Sequence, residues 1–566
     1  MKKYLKYLLS FMLVVTFSTA CKDEFLDVQP LGALSINQLQ NKIGVNLLLV
    51  GAYSMLDGVQ NNVGSAWPDW TGSGDNWVYG EVISDNAYKG SDSNDQPEIS
   101  LIEAFSGNPT LIHFRGKWRA VYDGVARAND VLQAIEKATD MTATEKSQAV
   151  AQARFLRGHY HFEAKKMWGN VPYIDEKTYN AADPASTKMT NDKDIWPNIV
   201  EDLDFAYKNL PARWAGEPGR ANKWAAGAML GKAYLFQQKY NDAKIVLDAV
   251  VASGQFSLMP NYHDNFRAVT NNNAESLLEV QFSINDGAPI NNNGNRGATL
   301  NYPYGGGVTN CCGFFQPSQN LVNAFKTDAD GLPMADNNMS DIPGVNSASF
   351  KGNIDPRLDW TVGRQNVQFL DWGLHGAIYV RDQGYAGPFS PKKNVPYKAD
   401  VGTRTTANPR FNTNNYRMIR YSQVLLMLAE CEVEVGDLNR ARMLVNMIRT
   451  RAANPTGFVQ TMGNQPNYKI GTYTAPWNDK AIARNAVRTE TRLELAMEGH
   501  RFFDLVRWGT AETTMNNYLA NEQTKRTYLK GATFVKGKHE YFPVPQGEIL
   551  NSSKDGAPTL KQNNGY

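Results

Sequence analysis

The sequence predicts a mainly α fold, in which helical hairpins pack side by side into a platform and a loop-rich region is inserted between them. Three observations carry that prediction. Over residues 416–452, YRMIRYSQVLLMLAECEVEVGDLNRARMLVNMIRTRA, the positions Tyr421, Val424, Leu425, Leu428, Cys431 and Val435 recur at helical spacing, and Leu438, Ala441, Val445, Ile448 and Ala452 do so again. Two more stretches, 115–168 and 222–250, repeat the pattern, whereas 254–415 breaks it with Gly, Pro, Asn and scattered rings. One hairpin cannot bury its own apolar stripe, so several must stack.

In chain order, Lys2, Lys3 and Lys6 precede an apolar run, Tyr7 to Phe17, that is too short to span a bilayer. Ser18-Thr19-Ala20-Cys21 follows, and the order resembles a bacterial lipoprotein signal: residues 1–20 removed, Cys21 acylated. Serine stands three before the cysteine, where leucine is usual. A multiply acylated Cys21 holds a protein on a membrane without spanning it. A helix is expected from Ile36 to Leu56, then a Gly-rich loop whose Trp67, Pro68, Trp70 and Trp77 suggest exposed aromatic surface, then a helix over 77–86 with Trp77 turned inward.

The helical period returns over 115–137 and 144–168, and Gly169-Asn170-Val171-Pro172 ends it. Asn222 is a suitable cap for the next helix, with its corner expected at Tyr240-Asn241-Asp242 and a return through Ala243, Leu247 and Val250. Region 254–415 reads as ordered in spite of its turn formers, because it keeps Tyr302, Tyr304, Phe314, Phe315, Trp360, Trp372, Tyr379 and Tyr385. At the corner of 416–452, Gly436 suits a left-handed helix end and Asp437 a cap; Ala441 early in the return helix makes the pair look like a tetratricopeptide repeat. The expected divisions are 21–253, 254–415 and 416–566.

Charge excludes some functions. With 58 basic and 56 acidic residues, a formal net charge of +2 provides no long-range field for nucleic acid. Cys431 lies on a buried stripe, while Cys311 and Cys312 are adjacent and either close a vicinal disulfide or stay as two thiols. No HExxH, GxSxG, P-loop or CxxC pair occurs, so no cofactor or metal is expected. His159 and His161 are two apart on a helix and point to different sides. Asp92, Asn94, Asp95 and Glu98 hold oxygens but lack EF-hand spacing and read as a solvated turn. Glu490, Glu494 and Glu498 recur every fourth residue; interleaved with Arg488, Arg492, Arg501, Asp504 and Arg507, they read as an ion-pair lattice, not as a glycosidase pair.

Taken in order, the stretches CKDEFLDVQP at 21–30, ARFLRGHYHFEAKKMWGNVP at 153–172, Gly219-Arg220, Asp355-Pro356-Arg357, Ile419-Arg420-Tyr421, Glu498-Gly499-His500-Arg501, DLVRWG at 504–509 and the closing Phe542-Pro543-Val544-Pro545 resemble the SusD/RagB family of Bacteroidetes nutrient-binding lipoproteins. Lys22-Asp23-Glu24 resembles the export tag of lipoproteins carried to the cell surface. The resemblance implies a non-enzymatic receptor, lipid-anchored in the outer membrane and facing outward, that captures oligosaccharides, or peptides in some members, for a SusC-like TonB-dependent transporter.

A sugar ring offers an apolar C–H face and a polar rim, so its receptor needs flat rings beneath and amides, carboxylates or guanidinium groups at the edge. The candidate rings are Trp67 and Trp70 from the first loop and Tyr302, Tyr304, Phe314 and Trp372 from the inserted region; the candidate edge groups are Asp75, Arg296 and Asn310. A shallow site of two or three rings binds weakly, in roughly the micromolar to millimolar range. A surface glycosidase and a purely structural scaffold are the competing classes.

Overall fold

The structure, a computed structural model, describes residues 36–59, 69–288, 293–309, 311–334, 350–406, 408–463 and 465–566. The signal segment, Cys21, Trp67 and Asn310 lie outside them. No described helix is long and apolar enough to cross a membrane.

The platform is built from α1 (Lys42–Ser54), α2 (Ile112–Lys137), α3 (Ala143–Trp168), α4 (Trp196–Asn209), α5 (Lys223–Phe236), α6 (Tyr240–Ala252), α7 (Tyr421–Val435), α8 (Leu438–Ala452) and α9 (Lys480–Leu495). Each packs on the next from α2 to α6; α6 packs on α7, and α7 on α8 and α9, so the stack continues across the insertion. Local chemistry starts these helices. Thr142 and Glu145 form a reciprocal capping box on α3, and the Asn222 side chain accepts from the amides of Trp224 and Ala225 on α5. Small residues let the helices approach, as where Gly231 of α5 lies directly against Leu247 of α6.

Several expectations change in detail. Residues 36–56 divide into a 3-10 turn, α1 and a second 3-10 turn, and 77–86 is a π-helix over Trp77–Val82 followed by turns, with Trp77 buried as expected. The corner after α5 falls at Gln237–Lys239, and Tyr240 already opens α6. Tyr416–Arg420 is a strand, not a helical turn. It pairs antiparallel with Ser276–Val280, and the Tyr421 amide donates to the Glu275 carbonyl at 2.7 Å.

Gly436 is not left-handed; its φ is −127°. Glycine leaves room there for the Glu432 carboxylate, which a Cβ would displace from the Asp437 amide it accepts at 2.9 Å. Asp437 caps α8 as expected.

Charge joins the inserted region to this stack. Arg357 reaches Glu490 at 2.6 Å and Glu494 at 2.9 Å; Arg420 reaches Glu275 at 2.8 Å, Glu494 at 2.5 Å and Glu498 at 2.8 Å; Arg449 reaches Glu490 at 2.8 Å; and Lys393 reaches Glu498 at 2.6 Å. Arg451 completes the cluster on Glu275 and Glu494, and every member is buried. The lattice expected of the three glutamates exists, with other partners: Arg492 and Arg501 go to Asp85 and Arg507 to Glu430.

Candidate functional site

The two aromatic-rich loop regions meet. Arg296 binds Asp69 at 2.6 Å, and Gly297 lies against Ser73 so closely that a Cβ would strike its hydroxyl. Below this seam, Asp75 accepts from the Ser73 hydroxyl at 2.7 Å and the Trp77 amide at 3.2 Å; burial raises its carboxyl above the ordinary range against those bonds. Asp75, Trp77 and Tyr302 line a narrow cavity with Lys393, Asn414 and Glu498. Its volume is about 50 Å³, room for one or two waters and far too small for a sugar.

Two expected rings are therefore corrected. Tyr302 is 3% exposed and its hydroxyl accepts from Asn412 at 2.5 Å; Phe314 has no exposed surface. The cause is a long-range pairing: Phe314–Pro317 lies antiparallel to Ala87–Gly90, which presses the Phe314 ring beside Trp77, at 6.4 Å between centroids, and under the Lys89 ammonium. Trp70 is half-buried against the core.

What faces outward is Tyr304, 41% exposed. Its amide donates to the Tyr379 carbonyl at 2.9 Å, and the following glycines seat 304–307 on Ile378 and the Tyr379 ring. Ile378 is exposed beside it; on the same inserted loop Leu374 is exposed and Trp372 half-buried, its Nε1 donating to the Pro396 carbonyl at 2.9 Å and the Arg404 guanidinium 5.3 Å from its ring. The rim is polar. Arg381 stands 5.4 Å from the Tyr304 centroid and is fixed by Asp92 and Asp95, each at 2.8 Å.

Cys311 and Cys312 are disulfide-bonded at the foot of this surface, with Arg410 donating toward the Cys312 sulfur at 3.1 Å, and Gly313 abuts the Tyr304 side chain. Sequence reasoning missed Leu374, Ile378 and Arg381. The signal for Leu374 was its place between Gly373 and Gly376, where a chain turns and leaves side chains outside; Ile378 follows the second glycine, and Arg381 gave no local signal.

The alternatives lose their geometry. Lys89 donates to the carbonyls of Asp92 and Asp95 at 2.6 and 2.5 Å, so cationic side chains already fill the turn that might have held calcium; among the described residues no group of three His, Cys, Asp or Glu is arranged for a metal. His161 is sealed between the Arg157 carbonyl and the Ile174 amide, and burial pulls its ring down to about 3. Glu490, Glu494 and Glu498 are closed in by arginines and leave no gap for a glycosidic bond.

Comparison with known proteins agrees with this architecture. Residues 274–566, just over half the chain, match the model of the SusD family, and 24–235 match a family described as starch-binding associating with outer membrane. This chain belongs to the SusD family. A SusD-like protein of Bacteroides ovatus is 26% identical over 484 residues, covering 78% of this chain and 77% of its own. The SusD-like protein P25 of Formosa agariphila is 24% identical and covers 97% of both. Among solved structures, a laminarin binding SusD-like protein superposes with a TM-score of 0.67 at 24% identity, covering 93% of this chain and all of its own. Surface glycan-binding protein A from Bacteroides thetaiotaomicron, in complex with laminarihexaose, gives 0.67 at 22% with the same coverage. The mainly α platform is thus the SusD fold.

Proposed function

We propose that this SusD-family protein is a cell-surface glycan receptor, anchored in the outer membrane through acylated Cys21, that passes oligosaccharides to a SusC-like TonB-dependent transporter without cleaving them. The observation that carries the reading is the outward surface of Tyr304, Ile378, Leu374 and Trp372, rimmed by Arg381, Asp92 and Asp95. Rings and aliphatic groups take the C–H faces of a sugar, and a fixed, charge-compensated rim takes its hydroxyls. Trp67 and Asn310, whose chain neighbours Asp69 and Cys311 belong to the same loops, are candidates for further contacts. Glycans bound by two proteins of the same fold support the choice of ligand class. The shallow surface suits weak capture and quick release, about micromolar to millimolar.

Isothermal titration against oligosaccharides of laminarin, starch, xylan and mannan tests the reading. Binding to at least one is expected, and Tyr304→Ala weakens it by about 3- to 10-fold, the equivalent of one aromatic contact. Binding of peptides and of no glycan, or cleavage of a glycan by the purified protein, overturns it.

A further inference from the structure

A cleft of about 670 Å³ opens elsewhere on the molecule, between α2, the chain that follows α3 and the C-terminal segment; none of its lining residues belongs to 254–415. Its volume is in the range of small-ligand sites, roughly 300–1,000 Å³. One wall is aromatic. Trp118 and Tyr122, one turn apart on α2, lie with ring centroids 4.9 Å apart and planes 33° from parallel. Trp118 is wedged edge-on to Trp168 at 4.9 Å, and the Tyr122 hydroxyl is committed to the Pro172 carbonyl at 2.9 Å. Tyr122 therefore presents its ring, not its hydroxyl. Half-buried Tyr179 adds a further ring, its backbone held by Gln133 at 2.7 Å.

The rim is polar and carries both signs of charge, with the cations Arg119, Arg127 and Lys188 beside the carboxylates Asp123 and Glu548. Arg119, 43% exposed at the side chain, lies 3.7 Å from Glu548, which also takes Arg115 at 2.8 Å; Arg127 pairs with Asp123 at 3.0 Å; the Lys188 ammonium is bound to the Ser553 carbonyl at 2.7 Å. Asn551 places an exposed amide on the same rim. A phosphorylated or sulfated ligand would meet the Glu548 and Asp123 carboxylates, and a purely apolar one would strip water from the rim without replacing its hydrogen bonds. A neutral polyhydroxylated chain satisfies both parts.

We propose that this cleft is a second glycan-binding site, taking a short neutral oligosaccharide segment on Tyr122 and Tyr179 with Arg119, Glu548 and Asn551 at its edge. The proposal rests on the glycan-receptor reading. Two weak sites on one chain hold a polysaccharide that reaches both far longer than either site alone.

The test titrates hexasaccharides of laminarin, starch, xylan and mannan into the intact protein, Tyr304→Ala, Arg119→Ala, Asn551→Trp and the double variant Tyr304→Ala/Asn551→Trp, with thermal unfolding as the check on folding. Asn551→Trp sits at an exposed helix position and plugs the opening without touching the core. The expected result is two sites per chain, one weakened about 3- to 10-fold by Tyr304→Ala, the other weakened about tenfold by Arg119→Ala and lost in Asn551→Trp, so that the double variant keeps only the weakened first site. A single site that Tyr304→Ala weakens, with Arg119→Ala and Asn551→Trp unchanged, overturns the second site and leaves the first standing. Binding lost in the cleft variants and unchanged in affinity in Tyr304→Ala overturns the loop surface instead, and absence of glycan binding in the intact protein overturns both.

Discussion

Glu494 touches three arginines, Arg357, Arg420 and Arg451, each from a different part of the chain. Burial alone would raise its carboxyl, but Arg451, Arg420 and Arg357 outweigh that and hold it well below the usual carboxylate range. Glu494→Gln takes one carboxylate from three buried arginines, leaving Arg357 to Glu490, Arg420 to Glu275 and Glu498, and Arg451 to Glu275 alone, so it should cost about 3–5 kcal/mol, read as a lowered urea midpoint at neutral pH. Acid acts on the same groups. Glu275, Glu494 and Glu498 are all depressed from 4.5, and Asp85 falls to about 2 because Arg492 and Arg501 overcome its burial. A depressed carboxylate contributes stability that is present above its unfolded value and lost as pH falls through its folded one. The lattice's contribution is therefore full down to about pH 5, and the melting temperature should fall steeply below about 4.5 as it is lost; a melting temperature that is flat from about pH 4.5 to 3 would contradict the lattice. The row of glutamates was visible in the sequence, but their partners were not, because Arg357, Arg420, Arg449 and Arg451 arrive from other elements.

At the scale of the element, periodicity served well where a stripe was continuous and apolar. The α7–α8 hairpin shows it, with Val424, Leu425, Leu428 and Cys431 facing Ala441, Val445 and Ile448, all fully buried. Helix α4 escaped notice because its buried face, Ile199, Asp202, Leu203 and Ala206, carries an acid; Asp202 takes Arg154 at 2.7 Å and Arg157 at 2.8 Å. The strand Tyr416–Arg420 was hidden for a like reason, since Arg417 and Arg420 are buried on charged partners and mask its pattern. Caps read more directly. Asn222 both caps α5 and donates to the Leu277 carbonyl at 3.0 Å, tying the helix to the strand Ser276–Val280. Asn222→Ala should cost about 1–2 kcal/mol in chemical denaturation. Asn222→Asp, which keeps the acceptor but loses the donor, should recover part of that loss.

For the whole molecule, the helix stack and the buried ion cluster form a rigid base, and the loops are displayed on it. The SusD reading also requires an address. Cys21→Ser should move the protein from the membrane to the soluble fraction and remove its digestion by protease added to intact cells; unchanged fractionation would contradict the anchor. The sequence by itself determined the helical class, the approximate limits of most of the helices and the family, because helical spacing, caps and ordered short motifs are local properties. Tertiary structure alone decided which rings face outward. Phe314 and Tyr304 lie ten residues apart in similar surroundings, yet a strand pairing with 87–90 seals the first, while Gly305 and Gly306, resting on Ile378 and Tyr379, leave the second in water. Exposure is set by what a distant segment covers, and no local pattern records that.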